Sequence, residues 1–226
     1  MQIVFVHGAC VRDGAWWWGR VAALLQAEGI ESVAARLPSC GETGLEPGGP
    51  SLAEDVAAVT GLLGEETILV GHSYGGVVAT AAAAAGDVRH LVYISSVLPE
   101  VGESLSTFGG PEPAPFLEFS EAGTFTARPE MMRELFLQDC DEATSAAAIE
   151  RLAWQTASVG RQPVEAAAWQ SIPSTYLVCA EDRASRPEWQ RAQSKRAGHV
   201  VELPAGHHPM LSRPELVAAE ILAVAR

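Results

Sequence analysis

Residues 67–80 read T-I-L-V-G-H-S-Y-G-G-V-V-A-T. Thr67, Ile68, Leu69 and Val70 have strand character, and an alanine-rich run that favours helix follows, ending at Gly86. Between them stands Gly71-His72-Ser73-Tyr74-Gly75, a G-x-S-x-G pattern. A strand that turns directly into a helix admits few backbone geometries. The central residue is strained, and side chains are excluded where strand and helix converge, which is what glycine at 71 and 75 provides. Ser73 Oγ then stands at the carboxyl end of a sheet, over a helix N-terminus that favours developing negative charge. In this context the pattern predicts a nucleophile elbow, against the alternative of an inert serine in a glycine-rich turn.

The rest of the chain repeats a strand–helix rhythm. Residues 3–6 are an apolar run without alternation, as in a strand buried on both faces of a parallel sheet. His7-Gly8-Ala9 follows it, where open α/β sheets place their sites. The backbone N–H of Ala9 and that of Tyr74, the residue after the nucleophile, are the expected oxyanion donors. His7 is read as a histidine pinning this loop. A helix is predicted over 14–28. Its three tryptophans, Trp16, Trp17 and Trp18, cannot all face the core on a 3.6-residue period, so at least one is expected to point towards the site or lid, with most of their area packed between helix and sheet. A second strand (31–36) leads to a turn-rich loop over 37–50. Ser51-Leu52-Ala53-Glu54 reads as a capping box opening the next helix. After the elbow helix, 88–97 is another buried strand ending at Ser95 and Ser96, taken as wall or hydrogen-bonding residues. This order predicts a mostly parallel, right-handed α/β sheet flanked by helices, in one domain with a core at 1–99 and 172–226.

Composition shifts over 100–171. Glycines and prolines interrupt its first part, and Phe108, Phe116, Phe119, Phe125 and Phe136 concentrate there. With helices predicted over 129–138, 142–157 and 163–170, this stretch is expected to be an inserted helical lid lining an apolar pocket. Its Phe116 and Phe136 join Gly8, Cys10, Trp17, Ser96 and His208 as candidate pocket residues.

The strand 174–179 ends in Glu181 and Asp182; the shorter Asp182 is the preferred orienting acid. The last strand, 199–203, runs into a loop with His207 and His208, which position alone does not separate. Ser212-Arg213-Pro214-Glu215 reads as a second capping box before the terminal helix.

The 226-residue chain has a net charge of −13, which argues against nucleic acid or an anionic membrane as partner. No run approaches a membrane span, and no export signal is evident. The four cysteines, Cys10, Cys40, Cys140 and Cys179, lack metal spacing and are read as free thiols of a cytoplasmic protein. No metal or organic cofactor is implied. A small-molecule substrate is the expected partner, with the chain a monomer or homodimer.

Taken together, His7-Gly8-Ala9-Cys10, Gly14-Ala15-Trp16, Gly71-His72-Ser73-Tyr74-Gly75-Gly76, Ile172-Pro173-Ser174-Thr175-Tyr176, Glu181-Asp182-Arg183 and Gly206-His207 with Pro209-Met210-Leu211-Ser212-Arg213-Pro214 resemble the α/β-hydrolase superfamily. Within it the chain is similar to bacterial esterases related to plant methylesterases and hydroxynitrile lyases. The resemblance implies Asp182 as the acid. It also implies His207 as the base, because the family's histidine stands three residues before the Met of a Met-Leu pair. The chain order Ser73, Asp182, His207 is that of these hydrolases. The lyases of the group carry threonine at the position of Gly8 and lysine at that of His208. Their absence implies ester hydrolysis rather than cyanohydrin cleavage. Val11-Arg12-Asp13 lengthens the loop beside the expected oxyanion hole. A tailoring thioesterase, cyclase or lyase on the same triad, and a slow-turnover ligand-binding protein, are the competing readings.

Overall fold

A computed structural model describes residues 1–41, 49–110 and 112–226. The middle of the loop expected over 37–50 lies outside the described residues. In chain order the elements of the first half are β1 (Gln2–Val6), α1 (Gly14–Ala27), β2 (Ser32–Ala34), α2 (Leu52–Thr60), β3 (Thr67–His72), α3 (Tyr74–Ala82) and β4 (Val88–Ile94). An inserted segment follows with β5 (Leu117–Phe119), β6 (Thr124–Ala127), α4 (Pro129–Leu135), α5 (Glu142–Ile149) and β7 (Gln155–Thr156). The chain closes with β8 (Ser174–Cys179), α6 (Pro187–Ser194), β9 (His199–Leu203), α7 (Pro209–Ser212) and α8 (Pro214–Ala225).

The central sheet has the order β2-β1-β3-β4-β8-β9, and every pairing in it is parallel. Strands β3 and β8 are buried at every residue, which is why their sequences are apolar without alternation. The register sets Val6 opposite Gly71, His72 opposite Ile94, Ile94 opposite Leu177, and Cys179 opposite Leu203. The strands thus end within a few residues of one another, and the residues just after β1, β3, β4, β8 and β9 share one rim. That rim is where the chemistry gathers.

The three tryptophans of α1 divide as the helical period requires. Trp18 stacks on Phe5, centroids 4.5 Å apart and planes within 9°. Trp17 approaches the His208 ring at 4.9 Å. The half-buried Trp16 lies under the Arg151 guanidinium at 4.4 Å. The Ser51–Glu54 box opens α2: the Ser51 N–H donates to the Glu54 carboxylate at 2.8 Å.

Four expectations need correction. The inserted segment is not wholly helical, because β5, β6 and β7 form an antiparallel sheet. Phe119 faces Phe125 across its hairpin, and Gly123 supplies the left-handed turn at φ 75°. The helix expected over 142–157 stops at Ile149, because 151–156 pairs with other chain segments instead. The stretch 163–170 holds only a short 3₁₀ turn at Ala168–Gln170. Nor does Ser212 cap the last helix. It ends α7, and Arg213 precedes α8 without a side-chain cap.

Candidate active site

Ser73 has φ 51° and ψ −122°, a left-handed conformation that costs a non-glycine residue about 1–3 kcal/mol. Its surroundings hold it there. The Ser73 N–H donates to Ile94 O at 3.0 Å, and Ser73 O accepts from the Ser96 hydroxyl at 2.5 Å and the Gly76 N–H at 3.1 Å. A Cβ at Gly71 would meet the Gly76 Cα at 2.7 Å, and one at Gly75 would collide with the carbonyl oxygens of Val6 and His7. The elbow therefore packs backbone directly on the end of β1. Ser96, expected as a wall or hydrogen-bonding residue of the pocket, braces the elbow from a fully buried position.

Asp182 and His207 meet on the same rim, with Asp182 Oδ2 accepting from His207 Nδ1 at 2.7 Å. Ser95 Oγ and Gln190 Nε2 donate to the same oxygen at 2.6 and 2.9 Å. The N–H groups of Ala184 and Ser185 donate to Oδ1 at 2.8 and 2.9 Å. Burial opposes ionisation of this carboxyl. The neighbouring His207 and the donated hydrogen bonds outweigh it and hold Asp182 below the usual carboxylate range. The competing acid, Glu181, is exposed.

His72 joins the nucleophile to the base. Its Nε2–H donates to the His207 carbonyl at 2.8 Å, and the two rings lie 4.8 Å apart. Ser73 Oγ itself makes no hydrogen bond to His207 among the described residues. Such bonds are often long in free enzymes and tighten around substrate. The N–H groups of Ala9 and Tyr74 have no protein acceptor among the described residues, as donors kept for a ligand would.

Gly8, Trp17 and His208 line one small cavity with His7 and His72. Gly8 lies against the elbow, where an added Cβ would stand 3.2 Å from Ser73 Cβ. His208 Nδ1–H donates to Phe136 O at 3.1 Å. Burial, then the His207 neighbour, pushes the His208 ring down to about 3, so it is neutral near pH 7. Phe136 sets its ring edge-on to His207 at 5.1 Å and to Phe116 at 4.9 Å. Cys10 is turned away from the pocket and buried against the inserted segment, its N–H donating to Gln155 Oε1 at 3.0 Å. His7, as expected, pins its loop through Gly8 O at 2.9 Å.

Among the described residues, His72, His207 and His208 form the one cluster that could hold a cation. Their ring nitrogens lie within 4.8 Å of one another. A tetrahedral zinc site brings its ligand nitrogens to about 3.4 Å, so binding here would require the rings to contract.

Sequence reasoning missed His72, Gln190, Asp55 and Gln155. Gln190 is a polar residue on a polar helix, and nothing in that pattern marks it as buried. Asp55 lies in the first turn of α2, where an acid is already explained by the helix dipole.

The chain matches the model of the alpha/beta hydrolase family over residues 3–220. Alpha/beta hydrolase nvfD of Aspergillus novofumigatus is 31% identical to it, across 97% of this chain and 94% of that protein. Methylesterase 8 of Arabidopsis thaliana is 28% identical, across 99% of this chain and 89% of that protein. Among solved structures, a pyrethroid hydrolase from Sphingobium faniae superposes with a TM-score of 0.84 at 27% identity, covering 100% of this chain and 97% of that one. No helix among the described residues is long and apolar enough to cross a membrane.

Proposed function

The chain belongs to the alpha/beta hydrolase family, and on that premise we propose that it is a serine esterase of small, fairly apolar carboxylic esters. The observation that carries this reading is the strained Ser73 on the sheet rim that also carries an Asp182–His207 pair joined at 2.7 Å. The likeness to a methylesterase and a pyrethroid hydrolase supports ester rather than amide or carbon–carbon chemistry.

His207 Nε2 takes the Ser73 proton as Oγ attacks the ester carbonyl carbon. The N–H groups of Ala9 and Tyr74 hold the oxyanion of the tetrahedral intermediate. As the carbonyl re-forms, the bond to the alcohol oxygen breaks, and His207 gives that oxygen the proton. Water, deprotonated by His207, then attacks the acyl-enzyme and releases the acid with Ser73 restored. Asp182 keeps Nδ1 protonated, so Nε2 is the basic nitrogen. The inserted segment acts as a lid, with Phe116 and Phe136 as apolar walls beside the base.

Turnover of p-nitrophenyl esters from acetate to octanoate tests this. Wild type should hydrolyse the short esters, and Ser73→Ala should lose about 10³-fold or more in kcat. Retention of more than a few per cent of turnover by Ser73→Ala would contradict the assignment.

A further inference from the structure

We propose that Asp55 is the positioning residue of the oxyanion hole, tying its two donor loops and the inserted segment to one buried carboxylate. The proposal rests on the esterase reading above. Asp55 is fully buried on α2, and among the described residues no cation pairs with it. A buried carboxylate is costly unless donors satisfy it. Here the Ser39 N–H donates to Oδ1 at 2.8 Å, while the Ser39 and Tyr74 hydroxyls donate to Oδ2 at 2.5 and 2.7 Å.

Both halves of the expected oxyanion hole run back to this group. Tyr74 opens α3, and its own N–H is one oxyanion donor, so its hydroxyl anchors that side directly. The other side is reached in three steps. Ser39 Oγ accepts from Gln155 Nε2 at 3.0 Å. Gln155 Oε1 accepts from the Cys10 N–H at 3.0 Å. Cys10 follows Ala9, the second donor. A backbone N–H can only donate, so the Gln155 amide orientation is set and the Ser39 hydroxyl must point to Asp55.

Gln155 belongs to β7 of the inserted segment, and its neighbours bind the same loop. Ala153 N–H donates to Cys10 O at 2.8 Å, and Arg12 N–H to Arg151 O at 3.0 Å. Val11 bridges Leu152 in antiparallel fashion. The residues that lengthen this loop, Val11-Arg12-Asp13, are thus the ones that receive the inserted segment. The seating of the inserted segment and the placement of the Ala9 N–H therefore rest on the same contacts. Loss of an oxyanion donor costs about 10²–10³ in kcat, and a displaced donor costs part of that.

Tyr74→Phe and Gln155→Ala test the proposal, because each removes a contact to the chain without removing a backbone donor. Measured with p-nitrophenyl acetate and normalised to sites titrated by a fluorophosphonate, each should lower kcat about tenfold with KM unchanged. Affinity for an aryl trifluoromethyl ketone, whose tetrahedral adduct fills the hole, should fall by the same factor. In an Asp55→Asn background, Tyr74→Phe should have almost no further effect. The proposal is overturned if wild type is active and Ser73→Ala is not, yet both variants keep kcat per site and ketone affinity within about twofold. Lower thermal stability with unchanged kcat per site would likewise reduce the network to a purely structural role. A wild type that neither labels nor hydrolyses would remove the esterase reading itself.

Discussion

The His72 Nε2–H donates to the backbone carbonyl of His207 at 2.8 Å, so the residue before the nucleophile holds the loop that carries the base. Both residues are buried, and burial, followed by the charges of His207 and His208, pushes His72 well below the ordinary histidine range. His72 is therefore a neutral donor with a fixed tautomer. Replacing it with Phe keeps a ring but removes the donor. His72→Phe should reduce kcat about tenfold through looser placement of His207, with a smaller change in KM. Steady-state kinetics on one short ester would show it. Unchanged kcat would mean that the loop is held by other contacts.

Ser95 is expected to matter for a similar reason. It sits at φ 45° at the end of β4 and donates to Asp182 Oδ2 at 2.6 Å, within 3.2 Å of His207 Nδ1. Ser95→Ala removes one of the donors that keep the carboxylate ionised and aimed. It should cost about 1 kcal/mol of stability, by urea denaturation, and several-fold in kcat.

Gly75 has no room for a side chain. The obstacles are the backbone carbonyls of Val6 and His7, which cannot rotate away as a flexible side chain would. Gly75→Ala should destabilise the protein by about 3 kcal/mol or more, or abolish soluble expression. Gly123→Ala, in open space on the hairpin turn at φ 75°, should cost only about 1 kcal/mol. Denaturation midpoints of the two variants would separate crowding from backbone strain.

The buried histidines set a pH dependence of stability. His208 is held at about 3 by burial and by His207, and His72 also lies well below its ordinary value. The unfolded chain takes up these protons near pH 6.5, and the native state resists them. Stability should therefore fall as pH drops from about 6.5 towards 4. Asp182 does not contribute in that window. Its folded value is depressed, so its stabilisation is present above about pH 4 and lost only below it. Asp55, raised by burial, works in the opposite sense. His208→Met should flatten the slope of Tm between about pH 6.5 and 4.5; an unchanged slope would remove His208 from the account.

How much of this was legible follows from how local each feature is. The elbow could be read because a tight strand–helix turn needs Gly71 and Gly75 within five residues of chain. The sheet could be read because strands buried on both faces, such as β3 and β8, cannot alternate. The hairpin β5–β6 was missed because each arm is only three or four residues long, too short to display a period. The helix over 142–157 was overextended because its alanines favour helix, whereas Ala153 and Gln155 are committed to the loop after β1 by contacts more than 100 positions away. Asp55 escaped notice for the same reason. Its partners Ser39, Tyr74 and, through Ser39, Gln155 come from three other parts of the chain. Of the two adjacent histidines, His207 was chosen through the resemblance alone, and it is the one whose Nδ1 faces Asp182.

The central claim is that Ser73 is a nucleophile activated by His207. Labelling with a fluorophosphonate, read by intact-mass and peptide mass spectrometry, tests it most directly. A single adduct on Ser73 is expected, absent in Ser73→Ala and formed about 100-fold more slowly in His207→Ala. An adduct on another residue, or an equal rate in His207→Ala, would contradict it.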